Sequence, residues 1–255
     1  MTAVAAIRVE DLTVSYRHHP AVHHLDCVFE PGSLTAVVGP NGAGKSSLLD
    51  ALTGRIKPST GRIRMPTRRR GSVACLPQQS GVDRSFPLRV QDVVMLGAWP
   101  ALGVFRGAST QQRGLAEQAL AMVGLDGFET RLMSELSVGQ FQRVLFARVV
   151  VLDAPLILLD EPFAAIDTRT TDDLMCLVQR WHAEGRTVIA VLHDLAQVRA
   201  HFPQCLLLAR EAVAFGATSQ VLSPANLQRA QHMATQWDEH AAWCAGPVAA
   251  ERVSA

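Results

Sequence analysis

The stretch Gly39-Pro40-Asn41-Gly42-Ala43-Gly44-Lys45-Ser46 constrains this chain more than any other. It follows the apolar run Leu34-Thr35-Ala36-Val37-Val38 and leads into Ser47-Leu48-Leu49-Asp50-Ala51-Leu52. That order reads as strand, loop and helix, the context in which G-x-x-x-x-G-K-[ST] has a mechanism. Glycines let the backbone curl until successive N–H groups converge on a polyphosphate, and the helix N-terminus adds its positive dipole end. Lys45 is placed to reach the β/γ-phosphates, and the Ser46 hydroxyl to ligate Mg²⁺. The expected fold is therefore an α/β core that binds a nucleoside triphosphate.

A second stretch fits the first. Leu156-Ile157-Leu158-Leu159-Asp160-Glu161 is a wholly apolar strand ending in two carboxylates, as expected inside a parallel sheet. Ligands of such sheets sit beyond the carboxyl ends of the strands. Asp160 is a candidate Mg²⁺ holder, and Glu161 a candidate to orient a water against the γ-phosphate.

Length and composition narrow the partners. A chain of 255 residues can bury one large core. The net charge of +1 gives no global basic field, so nucleic acid is not an expected partner. Cys27, Cys75, Cys176, Cys205 and Cys244 are scattered without a C-x-x-C, which fits reduced thiols. Met1 to Arg8 has no long apolar stretch after a basic region, so no secretory signal is expected. The most apolar region, Val144 to Leu159, is broken by Arg148, Asp153 and Pro155, whereas a membrane span needs ~20 apolar residues.

Along the chain, Ile7 to Tyr16 alternates as a half-buried strand, His18 to His24 reads as a loop or hairpin turn, and Leu25 to Phe29 as a second strand. Further strands are expected at Arg62–Met65, Ser72–Leu76, Thr187–Leu192 and Cys205–Ala209. Helices are expected at Val90–Leu96, at Gln111–Val123 with Leu115, Ala119, Leu120 and Val123 on one side, and at Gln140–Leu152 and Thr168–Ala183. The run from about 85 to 151 reads as a helical subdomain inserted in an α/β core spanning 5–225, followed by a C-terminal helix and tail, 226–255.

Leu136-Ser137-Val138-Gly139-Gln140, followed by Phe141-Gln142-Arg143, is a loop and helix start that offers donors to an anion. Here the sequence resembles the ATP-binding subunits of ATP-binding-cassette (ABC) transporters, whose signature is L-S-G-G-Q followed by Q-R. The resemblance runs from about residue 5 to about 220; Val138 departs from it, the family usually having Gly there. It implies a P-loop, RecA-like core with an antiparallel β-region and an inserted helical subdomain. It also implies head-to-tail homodimers, in which Ser137, Gly139 and Gln140 of one copy cover the ATP held by the other's phosphate loop.

The same resemblance implies that Gly39, Pro40, Asn41, Gly42, Ala43, Gly44, Lys45, Ser46 and Ser47 hold ATP, with Tyr16, the only tyrosine, stacking on adenine. Ser46, Gln78 and Asp160 would hold the Mg²⁺. Glu161 would prepare the water, His193 would contact the γ-phosphate, and Ala165-Ile166-Asp167 would cross the dimer interface. Gln79 rivals Gln78 by sequence alone. The Phe86-Pro87 and Val90-x-Asp92-Val93-Val94-x-x-Gly97 pattern looks like the manganese/zinc importer branch.

The implied protein is a peripheral ATPase on the cytoplasmic face of the inner membrane. It would drive a polytopic permease served by a separate periplasmic or extracellular solute-binding protein. An importer of iron-siderophore or cobalamin type, or a soluble cassette ATPase outside transport, remains the alternative. Two histidine groups invite a regulatory-metal reading: His18, His19, His23 and His24, and the tail group His232, Asp238, Glu239, His240 and Cys244. Arg68-Arg69-Arg70, with Arg62 and Arg64, reads chiefly as a solvated hairpin loop.

Overall fold

The computed structural model describes residues 6–16, 19–65, 71–78, 86–98 and 109–236. Its centre is a six-stranded sheet in the order β5-β6-β7-β3-β8-β9. These strands are β3 (Leu34–Val38), β5 (Val73–Leu76), β6 (Leu156–Asp160), β7 (Thr187–Val191), β8 (Gln204–Ala209) and β9 (Glu211–Ala217). All pairs are parallel except β8 with β9. Beside it lies an antiparallel sheet in the order β2-β1-β4, with β1 (Ile7–Tyr16), β2 (His19–Phe29) and β4 (Thr60–Arg64).

The two-residue period of the strands sorts their side chains into two cores. Ala36, Ile157, Val188 and Cys205 point to the layer of helices α2 (Val90–Met95), α3 (Thr110–Met122), α4 (Val138–Leu152), α5 (Thr168–Ala183) and α6 (Leu195–His201). Their neighbours Val37, Leu158, Ile189 and Leu206 point the other way, to α1 (Lys45–Thr53) and the antiparallel sheet. Every residue of β3, β6 and β7 is buried, which is why these strands are apolar apart from Thr35, Thr187 and the terminal Asp160. Phe146 stacks on Trp181 with 5.9 Å between rings and so fastens α4 to α5.

Two sequence expectations change. His19 to His24 belongs to β2 rather than to a loop. His23 is held by Glu211 of β9 in the neighbouring sheet and His24 by Asp11 of β1. On α3 the buried side is Ala116, Ala119, Leu120 and Val123, while Leu115 is 46% exposed. Strand β9 and helix α6 carry too little periodicity in the sequence to announce themselves. Helices α7 (Thr218–Val221) and α8 (Pro224–Gln236) complete the described chain.

Candidate functional site

The phosphate-loop segment joins β3 to α1, and its glycines answer to local crowding. A Cβ on Gly39 would fall 1.9 Å from the Leu208 carbonyl oxygen, and one on Gly44 2.1 Å from that of Ala21. Gly44 also caps α1 at φ 89°, a left-handed conformation that favours glycine. Lys45 is 6% exposed, and its Nζ donates to the carbonyls of Gly39 and Pro40, each at 2.9 Å. Burial pushes its ammonium below the usual lysine range, and the nearby Glu161 and Asp160 oppose that shift.

Asp160 ends β6 beside this loop. It is 6% exposed, and burial pushes its carboxyl above the usual range, opposed first by a hydrogen bond with Ser46. Its Oδ1 has no hydrogen-bond partner. A buried carboxylate oxygen without a partner is costly, so a hard cation between Ser46 and Asp160 suits the donors present.

Glu161 follows at φ 50°, an unusual backbone for glutamate that turns its side chain out of the strand direction. Both of its oxygens are engaged. Gln78 Nε2 donates to Oε2 at 2.8 Å, and His193 Nε2 lies 2.5 Å from Oε1. Gln78 follows β5 and His193 follows β7, so three strand ends converge on one carboxylate. Gln79 lies outside the described residues.

The Ser137 segment forms a separate cluster. Ser137 caps α4 in a reciprocal box: its Oγ accepts from the Gln140 N–H at 3.2 Å, and Gln140 Oε1 accepts from the Ser137 N–H at 3.0 Å. Val138 projects outward, 50% exposed. Gly139 abuts the next helix cap, where a Cβ would fall 3.3 Å from Thr170 Oγ1 and 3.5 Å from Asp167 Oδ2. Asp167 caps α5 by accepting from the Thr170 N–H at 2.9 Å and its hydroxyl at 2.8 Å, which holds its carboxyl below the usual range. Among the described residues, no hydrogen bond joins Ser137, Gly139 or Gln140 to the phosphate loop. Tyr16 ends β1, 47% exposed.

Sequence reasoning left Gln142 and Arg143 as family markers without a task. Gln142 Nε2 donates to the Pro162 carbonyl at 2.6 Å, one residue beyond Glu161. Arg143 donates to the Val123 carbonyl at 2.8 Å and to Asp173 at 2.6 Å. Together they tie α4 to the end of β6, to α3 and to α5. No group of three or more His, Cys, Asp and Glu among the described residues could hold a metal ion. His18, Asp238, Glu239, His240, Cys244 and Arg68 to Arg70 lie outside the described residues.

Comparison with known proteins identifies relatives of this chain. Residues 22–164 match the family model described as ABC transporter. The chain is 38% identical over 229 residues to the zinc transport system ATP-binding protein TroB of Treponema pallidum, covering 88% of this chain and 86% of that protein. It is 37% identical over 226 residues to the manganese transport system ATP-binding protein MntB of Listeria monocytogenes, covering 87% and 94%. Among solved structures it resembles a chain of an ABC transporter in an inward-facing conformation, with TM-score 0.80, 32% identity and 89% of each chain covered. It also resembles a bacterial ABC transporter cassette in dimeric form, with TM-score 0.74, 26% identity and 83% and 98% covered.

Proposed function

The chain belongs to the ABC transporter family, and on that footing we propose that it is the ATP-hydrolysing subunit of an importer of a divalent transition metal, zinc or manganese. The relatives named for zinc and manganese transport support the metal, and the convergence of Gln78, Glu161 and His193 beside Lys45, Ser46 and Asp160 carries the ATP-hydrolysing part of the reading. It unites the groups that phosphoryl transfer to water requires: a cradle for the anion, a seat for a cation and a base.

Residues Gly39 to Ser47 receive the triphosphate through loop N–H groups and Lys45, which exchanges its two loop carbonyls for phosphate oxygens. Tyr16 packs on the base. Ser46, Asp160 and Gln78 hold the Mg²⁺, which when bound neutralises phosphate charge. Glu161 accepts a proton from the attacking water and His193 steadies the γ-phosphate. Glu161 is unavailable as a base while both its oxygens are occupied, so loading the site must loosen Gln78, His193 or both.

The cluster of Ser137, Gly139 and Gln140 serves the facing copy in a head-to-tail homodimer. A dimeric relative supports this reading, as does the capped start of α4 standing apart from its own chain's loop. We assign 5–225 to the ATP-binding domain, with 85–151 as its helical subdomain, and 226–255 to a C-terminal helix and tail. No helix among the described residues is long and apolar enough to cross a membrane. A polytopic permease, joined at the cytoplasmic face of the membrane, supplies the pathway. A solute-binding protein supplies selectivity.

The test is reconstitution with the permease in vesicles. ATP-dependent uptake of Zn²⁺ or Mn²⁺, lost with Glu161→Gln, supports the proposal. ATP hydrolysis without movement of either ion contradicts the metal assignment.

A further inference from the structure

Strands β8 and β9 are separated by Arg210 alone, which takes φ 65°. That left-handed backbone is unfavourable for a residue with a Cβ, and glycine, asparagine or aspartate is the usual choice at such a turn. Here the position holds an arginine, and three of its polar groups make fixed contacts. Its N–H donates to the carbonyl of Ala43, in the phosphate loop, at 3.0 Å. Its carbonyl accepts from the His23 N–H of β2 at 2.8 Å. Its Nη1 donates to the Pro20 carbonyl, also of β2, at 3.2 Å.

The seam between β2 and β9 continues past this residue. Glu211 Oε1 lies 2.9 Å from His23 Nδ1, and Phe29 meets Phe215 edge to face with 5.7 Å between rings. The phosphate loop is thereby wedged between two backbones. The Ala21 carbonyl of β2 crowds Gly44, and the Leu208 carbonyl of β8 crowds Gly39. Arg210 bridges the two sides of that wedge and reaches the loop itself. A trans peptide carries its C=O and N–H on opposite sides. With the Ala43 carbonyl turned to Arg210, the Gly44 N–H of the same peptide unit points away from the β8–β9 turn. Backbone N–H groups of such a loop are the donors for an anion, so holding this peptide plane sets the direction of one donor.

We propose that Arg210 is a positioning residue for the phosphate loop: braced against β2 through Pro20 and His23, it locks the Ala43–Gly44 peptide with its N–H presented to the triphosphate. The proposal rests on the reading of residues 39–47 as the ATP seat and adds what holds that seat in shape. The guanidinium contact with Pro20 keeps the strained turn close to β2, and the pair of His23 with Glu211 holds the strand that follows. Arg210 acts through the loop and touches no reacting atom. A loop donor meets the bound nucleotide before and during hydrolysis alike, so its placement enters KM more than kcat.

The test is binding and hydrolysis of Mg·ATP by the full chain, with melting temperature measured on the same samples. Arg210→Gly keeps the backbone N–H and suits the left-handed turn but lets go of Pro20. It should raise Kd and KM for Mg·ATP about five- to tenfold, the scale of one charge-assisted hydrogen bond, with kcat within about twofold. Its melting temperature should hold, because relief of the left-handed backbone offsets the lost contact. Arg210→Lys keeps a cation for the Pro20 carbonyl and should recover most of the affinity. A wild-type Kd for Arg210→Gly overturns the proposal, as does an Arg210→Lys chain that binds as weakly as Arg210→Gly. A loss of affinity that tracks a fall in melting temperature across both variants also overturns it, making Arg210 a tie of the fold alone. The ATP-seat reading survives all three results. Failure of the wild-type chain to bind Mg·ATP overturns both.

Discussion

Gln78 donates its side-chain amide to Glu161 at 2.8 Å, joining the segment that leaves β5 to the residue that follows β6. With His193 on the other carboxylate oxygen, Glu161 is held from two sides by neighbouring strand ends. The candidate base is thereby linked to the end of β5 through Gln78. It is linked through His193 to the start of the segment that leads into α6.

Glu161→Gln should keep ATP affinity within about threefold and lower turnover by at least about 100-fold, the range for loss of a general base. The amide keeps the size and one acceptor but cannot take a proton. Single-turnover hydrolysis beside a fluorescent-nucleotide titration separates the two effects. Equal losses of binding and turnover would point to a structural role instead.

Asp160→Asn should stabilise the nucleotide-free chain at neutral pH while abolishing metal-dependent hydrolysis. The folded-state pKa of Asp160 is raised, with burial the largest cause. A raised carboxylate contributes stability that is present below its unfolded pKa and lost as pH rises through the folded value. Asparagine escapes that loss. Melting temperature should rise by about 2–4 °C for each kcal/mol recovered, and the advantage should shrink as pH falls toward the ordinary carboxylate range.

Gly44→Ala should damage both fold and binding. The alanine Cβ would meet the Ala21 carbonyl oxygen at 2.1 Å and would have to adopt φ near 89°. The backbone strain alone costs about 1–3 kcal/mol. Gly42→Ala is the control, because its Cβ meets nothing within 4 Å although its φ of 76° is also left-handed. Thermal melts should rank the wild type first, Gly42→Ala second and Gly44→Ala last.

Gln142→Ala should lower turnover without removing ATP binding. Its amide fixes the Pro162 carbonyl at 2.6 Å, next to Glu161, yet it touches none of the candidate phosphate-binding residues. A fall in kcat of about 10-fold with KM held within about twofold is the expected split, by analogy with small misplacements of reacting groups.

The phosphate loop and the Asp160–Glu161 strand end were legible because each needs a fixed residue order with strong local periodicity around it. The three buried strands β3, β6 and β7 were legible for the same reason: both their faces are covered, so they are apolar apart from Thr35, Thr187 and the terminal Asp160. His19 to His24 misled because a polar run with proline looks like a turn. In the fold His23 and His24 find carboxylates on Glu211 and Asp11, supplied by β9 and β1. Leu115 misled because helical spacing fixes a face but not which neighbours cover it. The tie from Gln142 to Pro162 could not be read from spacing at all, since it depends on how α4 docks on the end of β6.

The central claim is that each catalytic pocket is completed by a second copy of the chain. The most direct measurement is a structure of the Glu161→Gln protein with Mg·ATP. The account predicts a head-to-tail dimer in which Ser137 and Gly139 of one copy lie within hydrogen-bond reach, about 3 Å, of the γ-phosphate held by Lys45 of the other. A triphosphate enclosed by a single chain, with Ser137 of every copy facing solvent, would contradict it.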